Sequence, residues 1–432
     1  MNSDHLSDWL TFINSNRPNE GDFGLERLED IYSEIVQSPL ARKTILVGGT
    51  NGKGSTIEFL KNFLLSAGYK IGSYTSPHLL EFNERIKIND KSIEDKRIIR
   101  SFERIDNLKK KTRLTYFDYA TLAAFDIFSE EELDFAILEI GIGGKYDPVN
   151  LINSDLSIIT NIELDHEKWL GSSLEDIGDQ KAAILKRGKL AILGSEEMPN
   201  SVTNKATEIC SSHFQLNKDF FIQEDKTHWS YSFSEKDCNL DLLSNGSLNS
   251  DAAASALTAY NLLSNKEVGF QSIIENTQLK GRCDIVNNFI LDVSHNPASV
   301  KNLISFIEKN FKERKFKAIF ASMSEKDSSS IIKEIDYLIS EWNICFIDDK
   351  RFDIPSLINL TKSKVKADVN IADTVYSAVE RGYYEATPYI VFGSFITASE
   401  AYRALDKIKL LNLSLIHISE PTRLLSISYA VL

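Results

Sequence analysis

Short apolar runs rich in β-branched residues alternate along this chain with longer stretches in which apolar positions recur three and four apart. The first pattern is that of buried strands, the second that of helices with one buried face. Their alternation predicts an α/β fold in which a mainly parallel sheet is flanked by crossover helices. Residues 44–47, 71–74, 135–140, 156–162 and 190–193 are the predicted strands of a first sheet, with helices over 55–67 and 116–128. From 200 to about 250 the pattern weakens into polar, aromatic-dotted sequence such as FFIQEDKTHWSYSF, which suits short antiparallel strands at a domain edge. A helix follows over 252–263, and Leu279-Lys280-Gly281-Arg282 reads as a connection to a second alternation. There, strands are predicted near 289–293, 318–321, 345–347 and 390–392, separated by helices such as 298–311 and 397–411.

A chain of 432 residues exceeds what one core usually fills. The break in pattern places two unequal domains at 1–280 and 283–412. The last stretch, 413–432, reads LSLIHISEPTRLLSISYAVL and departs from the preceding helical pattern without a turn or cap. Its phrase SLIHISEPTR resembles translated sequencing-adapter read-through, so the segment is read as a non-native tail and set aside from the fold. The alternative is an amphipathic tail docked on the second domain.

Charge and cysteine usage narrow the function classes. With 49 basic and 62 acidic residues the formal charge is −13, and the basic residues are scattered rather than gathered into a stripe that would neutralise phosphates, which argues against nucleic acid. Cys210, Cys238, Cys283 and Cys345 lie far apart, without zinc-site pairing or disulfide density. A reducing compartment fits. No basic-then-apolar leader and no apolar run of about 18 to 20 residues is present, so a cytoplasmic protein without a membrane span is expected.

The strongest chemical signal is Gly48-Gly49-Thr50-Asn51-Gly52-Lys53-Gly54-Ser55, which follows a predicted strand and precedes a predicted helix. Glycines let backbone N–H groups turn toward one anion, the helix N-terminus adds positive charge, Lys53 supplies a point charge and Ser55 an oxygen. ATP phosphates are the natural occupant. The spacing differs from GxxxxGK[ST], because Val47 stands at the first glycine and Gly54 separates lysine from hydroxyl. A tight Asn51-Gly52 turn with a solvated lysine is the plainer alternative.

Ligands of open parallel sheets bind beyond the carboxyl ends of the strands, and polar residues accumulate there. Ser76 follows the second strand, Glu139 ends the third and His166 follows the fourth. Together they would hold a divalent cation, with magnesium suited to oxygen donors and manganese better matched to the histidine. Singly, each also reads as a turn former, a solvated strand end or a helix cap. Lys181 sits on a predicted helix among small neighbours, where burial would favour a neutral amine able to form a carbamate; a snorkelling surface lysine is the ordinary alternative. In the second half, Asp292-Val293-Ser294-His295-Asn296-Pro297 follows a strand and opens a helix, either as a site with Arg282 nearby or as a capped helix start.

GTNGKGS, SYTSPHLLEFNERIKIN, ILEIGIGGKYD, LDH, KGR and DVSHNP, in this order, together with DFGLERLEDI and GSF, resemble the folylpolyglutamate synthase and dihydrofolate synthase family, of bacterial bifunctional type, from about Trp9 to about Leu411. Cell-wall amino-acid ligases share the phosphate loop, but TSPH followed by NERI points to the folate branch. The resemblance implies an N-terminal P-loop ATPase domain and a smaller Rossmann-like glutamate-ligase domain. It implies that Thr50, Asn51, Gly52, Lys53, Gly54 and Ser55 bind ATP phosphates and that Ser76, Glu139 and His166 ligate the metal. It further implies a carbamylated Lys181, nucleotide contacts from Asp251, Arg282 and Asp292, and His295 at the reacting centre. Gly21, Asp22, Phe23, Thr115 and Asp147 fall where pterin-side contacts lie. Against the family pattern, Lys145 replaces an arginine, Gln180 a glutamate, Asp251 an asparagine, and Ile396 a histidine after GSF.

The expected reaction activates a carboxylate by γ-phosphoryl transfer from ATP, after which the amine of L-glutamate displaces phosphate. The acceptors implied are dihydropteroate and reduced folates, in a monomer using a divalent cation, with a monovalent cation as a further candidate. Two other readings stand beside it: a Mur-like ligase with another carboxylate acceptor, and an ATP-dependent binding module that is not a ligase.

Overall fold

The computed structural model describes residues 3–15, 24–224, 228–236, 238–243, 249–311 and 314–419. The chain divides into two compact units, Met1–Leu279 and Lys280–Leu432.

In the first unit, β1 (Lys43–Gly48), β2 (Ile71–Tyr74), β3 (Ile86–Ile88), β4 (Lys91–Ser92), β5 (Phe135–Glu139), β6 (Leu156–Ile159), β7 (Leu190–Leu193) and β8 (Ser212–Gln215) form one sheet. Its order is β4-β3-β2-β5-β1-β6-β7-β8. Every pairing from β2 to β8 is parallel, and β3 and β4 add an antiparallel hairpin at one edge. Side chains alternate across a strand. Ile45, Val47, Ile137, Ile158 and Ile192 therefore enter one core with the helices Lys53–Ser66 and Ser250–Leu263. Leu46, Leu138, Ile159 and Leu193 enter another with the helices Leu6–Ser15, Glu26–Ile35, Asp95–Leu108 and Tyr116–Ser129. Both faces are covered, which is why these strands read as continuous apolar runs.

The segment from 200 to 250 differs from its sequence reading. It begins with a helix, Asn200–Ile209, whose buried residues Val202, Ala206 and Ile209 are too few and small to stand out from their polar neighbours. β8 then joins the main sheet in parallel. Only β9 (Phe220–Glu224), β10 (His228–Phe233) and β11 (Cys238–Leu243) form the antiparallel set, ordered β11-β10-β9.

The second unit holds β12 (Asp284–Val286), β13 (Phe289–Leu291), β14 (Phe316–Phe320), β15 (Ile339–Cys345), β16 (Asp368–Ala372) and β17 (Tyr389–Phe392), in the order β12-β13-β17-β14-β15-β16. β12 pairs antiparallel and the rest are parallel, with the last strand inserted between β13 and β14 as in doubly wound sheets. β15 lies earlier than the predicted 345–347. Its polar residues hid it from a hydrophobic reading but are satisfied in place: Asn343 donates to the Ala318 carbonyl at 3.2 Å, and Glu341 meets Lys317 at 3.3 Å. The final helix spans Phe395–Ser419, so the backbone of 413–419 continues it, and the rest of the predicted tail lies outside the described residues. Among the described residues, no helix is long and apolar enough to cross a membrane.

Candidate active site

The glycine loop joins β1 to the helix Lys53–Ser66, and its shape needs glycine at two positions. Gly52 caps the helix with φ 84°, and Gly49 has φ 133°, where a Cβ would also collide with the Thr160 hydroxyl. The loop is moulded by the residues just past β6. Thr160 Oγ1 donates to the Asn51 carbonyl at 2.7 Å, Asn51 N donates to Asn161 Oδ1 at 2.8 Å, and Thr50 N donates to the Asn161 carbonyl at 3.0 Å. Glu163 N in turn donates to Thr50 Oγ1 at 3.0 Å. Ser55 is buried in the first helical turn.

Two amines converge on this loop. Lys53 Nζ donates to the carbonyls of Gly49 and Thr50, each at 3.2 Å, and Lys181 Nζ donates to the same Gly49 carbonyl at 2.8 Å. Lys181 is only 5% exposed, so the surface-lysine alternative is excluded. Burial and then the Lys53 ammonium pull its amine down to about 7, against the carboxylates of Asp165 and Asp147. Its helix, Leu174–Ala182, packs directly on the loop after β5: a Cβ at Gly144 would lie 2.8 Å from the Gln180 carbonyl and 3.3 Å from that of Lys181.

Glu139 ends β5, is buried, and accepts a hydrogen bond from Ser76 N at 2.9 Å. His166 adopts φ 54°, its N–H donating to Asp165 Oδ1 at 2.9 Å, and it caps the short helix Glu167–Leu170. The donors are a carboxylate, a hydroxyl and an imidazole, of which only two are acidic or histidine side chains. Among the described residues, no group of three or more His, Cys, Asp or Glu side chains is placed to hold a metal ion.

The substrate-side candidates prove to be structural hubs as well. Asp147 is buried and accepts from the N–H groups of Gly141, Ile142 and Val149 at 2.8, 3.0 and 2.9 Å. Burial pushes its carboxyl up to about 7, while those N–H donors pull the other way. Thr115 caps the helix Tyr116–Ser129, its hydroxyl accepting from Asp118 N at 3.0 Å. The two loops meet: a Cβ at Gly141 would lie 2.6 Å from the ring of Phe117 and 3.2 Å from Asp147 Oδ2. Gly21, Asp22 and Phe23 lie outside the described residues. Asp251 is half-buried in the first turn of the helix Ser250–Leu263, one turn before Ser255, which lies against Gly194 beside the Thr160 backbone.

Within the second unit, Arg282 lies over the Phe395 ring at 5.5 Å, and the His295 ring is 6.1 Å from the same ring. Asp292 is buried and accepts from Ser294 N in its own loop at 2.7 Å and, across the β12–β13 hairpin, from Cys283 N at 2.8 Å. Asn296, not Asp292, caps the following helix, Pro297–Asn310.

Comparison with known proteins decides what this arrangement belongs to. The Mur ligase middle domain matches residues 47–265. A dihydrofolate synthase/folylpolyglutamate synthase of Buchnera aphidicola subsp. Schizaphis graminum is 35% identical over 369 residues, covering 84% of this chain and 88% of the relative. This chain belongs to the dihydrofolate synthase/folylpolyglutamate synthase family. The bifunctional family member from Escherichia coli is 30% identical over 417 residues, 93% of this chain and 96% of its own. The solved structure of Escherichia coli FolC in complex with DHPP and ADP superposes with a TM-score of 0.86 at 28% identity, over 94% of this chain and 99% of the other. A bifunctional synthase with Mn, AMPPNP and L-glutamate bound gives 0.84 at 29% identity, over 94% and 98%.

For a member of this family, the site residues that sequence reasoning missed are Thr160 and Asn161. The apolar pattern carried the predicted strand through 162, whereas β6 ends at Ile159 and the next two residues leave the sheet to clamp the glycine loop. The rule of polar residues at strand ends would have found them had the strand been stopped at Thr160.

Proposed function

We propose that the glycine loop is a P-loop for ATP in an ADP-forming ligase that adds L-glutamate to dihydropteroate and to reduced folates through an acyl phosphate. ATP-dependent addition of glutamate to such acids, with formation of ADP, is the activity of this family, to which the chain belongs. The observation that best supports the site is the convergence of Lys53 and Lys181 on the Gly49 carbonyl, beside two glycines held at positive φ. Backbone N–H groups of Thr50 to Ser55 and the helix N-terminus would receive the phosphates, with Lys53 answering the charge that develops on transfer.

The acid's carboxylate oxygen attacks the γ-phosphorus, the bond to the β-phosphate oxygen breaks, and ADP leaves. The glutamate amine then attacks the acyl carbon, phosphate departs with the C–O electron pair, and the nitrogen loses a proton to leave an amide. Ser76, Glu139 and His166 would supply hydroxyl, carboxylate and imidazole donors to a divalent cation, magnesium or manganese, and a monovalent cation could accompany it; the divalent ion would draw charge from phosphoryl oxygens. The buried, neutral-leaning Lys181 amine suits addition to carbon dioxide, which forms an N–C bond, releases a proton and leaves a carbamate. Thr115 and Asp147, with Gly21, Asp22 and Phe23, are assigned to the pterin side. Asp251, Arg282 and Asp292 are assigned to the nucleotide and His295 to the reacting centre. The protein is proposed to act as a cytoplasmic monomer.

The test is ADP release by the purified chain with magnesium, ATP, glutamate and either dihydropteroate or tetrahydrofolate. Turnover that requires both the pterin acid and glutamate is expected. ATP turnover indifferent to acceptor would replace the ligase with an ATP-driven module, and silence with both acids would point to another carboxylate.

A further inference from the structure

We infer that Arg27 is a positioning residue for the acid substrate, acting through the loop that carries Thr115. The inference rests on the proposed role of Thr115 at the pterin side.

Arg27 stands in the first turn of the helix Glu26–Ile35, and its guanidinium reaches the start of the helix Tyr116–Ser129. Its Nη2 donates to both oxygens of Asp118, at 2.9 and 2.8 Å, and its Nη1 donates to the Arg113 carbonyl at 3.3 Å. Asp118 is 1% exposed, and its second oxygen also accepts from Thr115 N at 2.6 Å while Asp118 N donates back to the Thr115 hydroxyl. One cation therefore holds the loop at Arg113, at Asp118 and, through Asp118, at Thr115. The next residue but one, Phe117, lies against Gly141 and so against the loop of Asp147. Thr115 is thus held through Asp118, and the loop of Asp147, fixed by its own N–H donors, packs against the same segment through Phe117.

The bridge is not a simple stability device. Arg27 Nε is buried and makes no hydrogen bond, and a buried donor left unpaired is unfavourable. The geometry keeps that unfavourable donor while directing the other nitrogens at the loop. The planar guanidinium holds two acceptors at once, Asp118 through Nη2 and the Arg113 carbonyl through Nη1, a fixed geometry that a lysine ammonium does not reproduce. Small displacements of a positioning group cost large factors in turnover.

Steady-state ADP release by the full chain, comparing wild type with Arg27→Met and Arg27→Lys, tests this. Arg27→Met is expected to raise KM for dihydropteroate by about tenfold or more while KM for ATP stays within about twofold; Arg27→Lys should recover only part of the loss. An unchanged KM for the acid in a folded Arg27→Met enzyme, or an equal rise in both KM values, would overturn the inference. Should Arg27→Met fail to fold, full wild-type kinetics in Arg27→Lys would overturn it equally. An inactive wild type would sink the ligase reading itself, and this inference with it. Active wild type with an indifferent Arg27→Met sinks this inference alone.

Discussion

Lys53 and Lys181 share one carbonyl acceptor, and that contact gives the site its most distinctive charge property. A lysine whose folded value falls to about 7 from the usual 10.5 is a base that the unfolded chain protonates more readily. Below about pH 7 both states carry the proton and the cost of the buried charge is complete. Between about 7 and 10.5 only the unfolded chain binds it, so stability from this group rises with pH across that window. The whole effect is on the order of 5 kcal/mol. In buffer free of carbon dioxide, Lys181→Met should flatten the rise in the urea midpoint between pH 7 and 9.5 relative to wild type. Lys186, pulled down by burial to about 8, contributes to both proteins and leaves the difference intact. Parallel slopes would show that Lys181 is not the titrating group.

At the scale of elements, the site depends on how closely the Leu174–Ala182 helix approaches the loop after β5. Gly144 sets that approach, since an added Cβ would press on the Gln180 carbonyl and on Ile184 at 2.8 Å. Gly144→Ala is expected to destabilise the protein by about 1–3 kcal/mol and to lower turnover further by moving Lys181 off the glycine loop. Gly269→Ala is the matched control: nothing lies within 4 Å of its added Cβ, and its φ of −78° is open to any residue. Melting temperature and ADP release together check the pair, and equal behaviour of both variants would contradict the packing argument.

The whole molecule makes one claim about its end. In the final helix the last described buried side chain is Ile408, whereas Leu410 is 67% exposed and Leu411 49%. Among the described side chains of the second unit, none beyond Ile408 is buried, and the segment at 413–432 is proposed to be non-native. A chain ending at Leu411 should melt within about 2 °C of the full chain and release ADP at the same rate. A larger drop would assign the segment a place in the fold.

Most of the architecture was written in the sequence because it follows from periods. Buried parallel strands give apolar runs, crossover helices give spacings of three and four, and a glycine loop between them gives an anion site. Those local rules located β1, β2, β5, β7 and β17 to within a residue or two, and with them the positions of Thr50 to Ser55, Ser76 and Glu139. They failed where burial is reached without apolar residues, as in β15 and the helix Asn200–Ile209. The tertiary structure alone decided that Lys181 is buried on Gly49, that Thr160 and Asn161 leave the sheet to shape the loop, and that Arg27 reaches Asp118. Each of these joins residues 91 or more positions apart. No local period encodes such contacts, because their geometry exists only once the sheet order has brought the strand ends together.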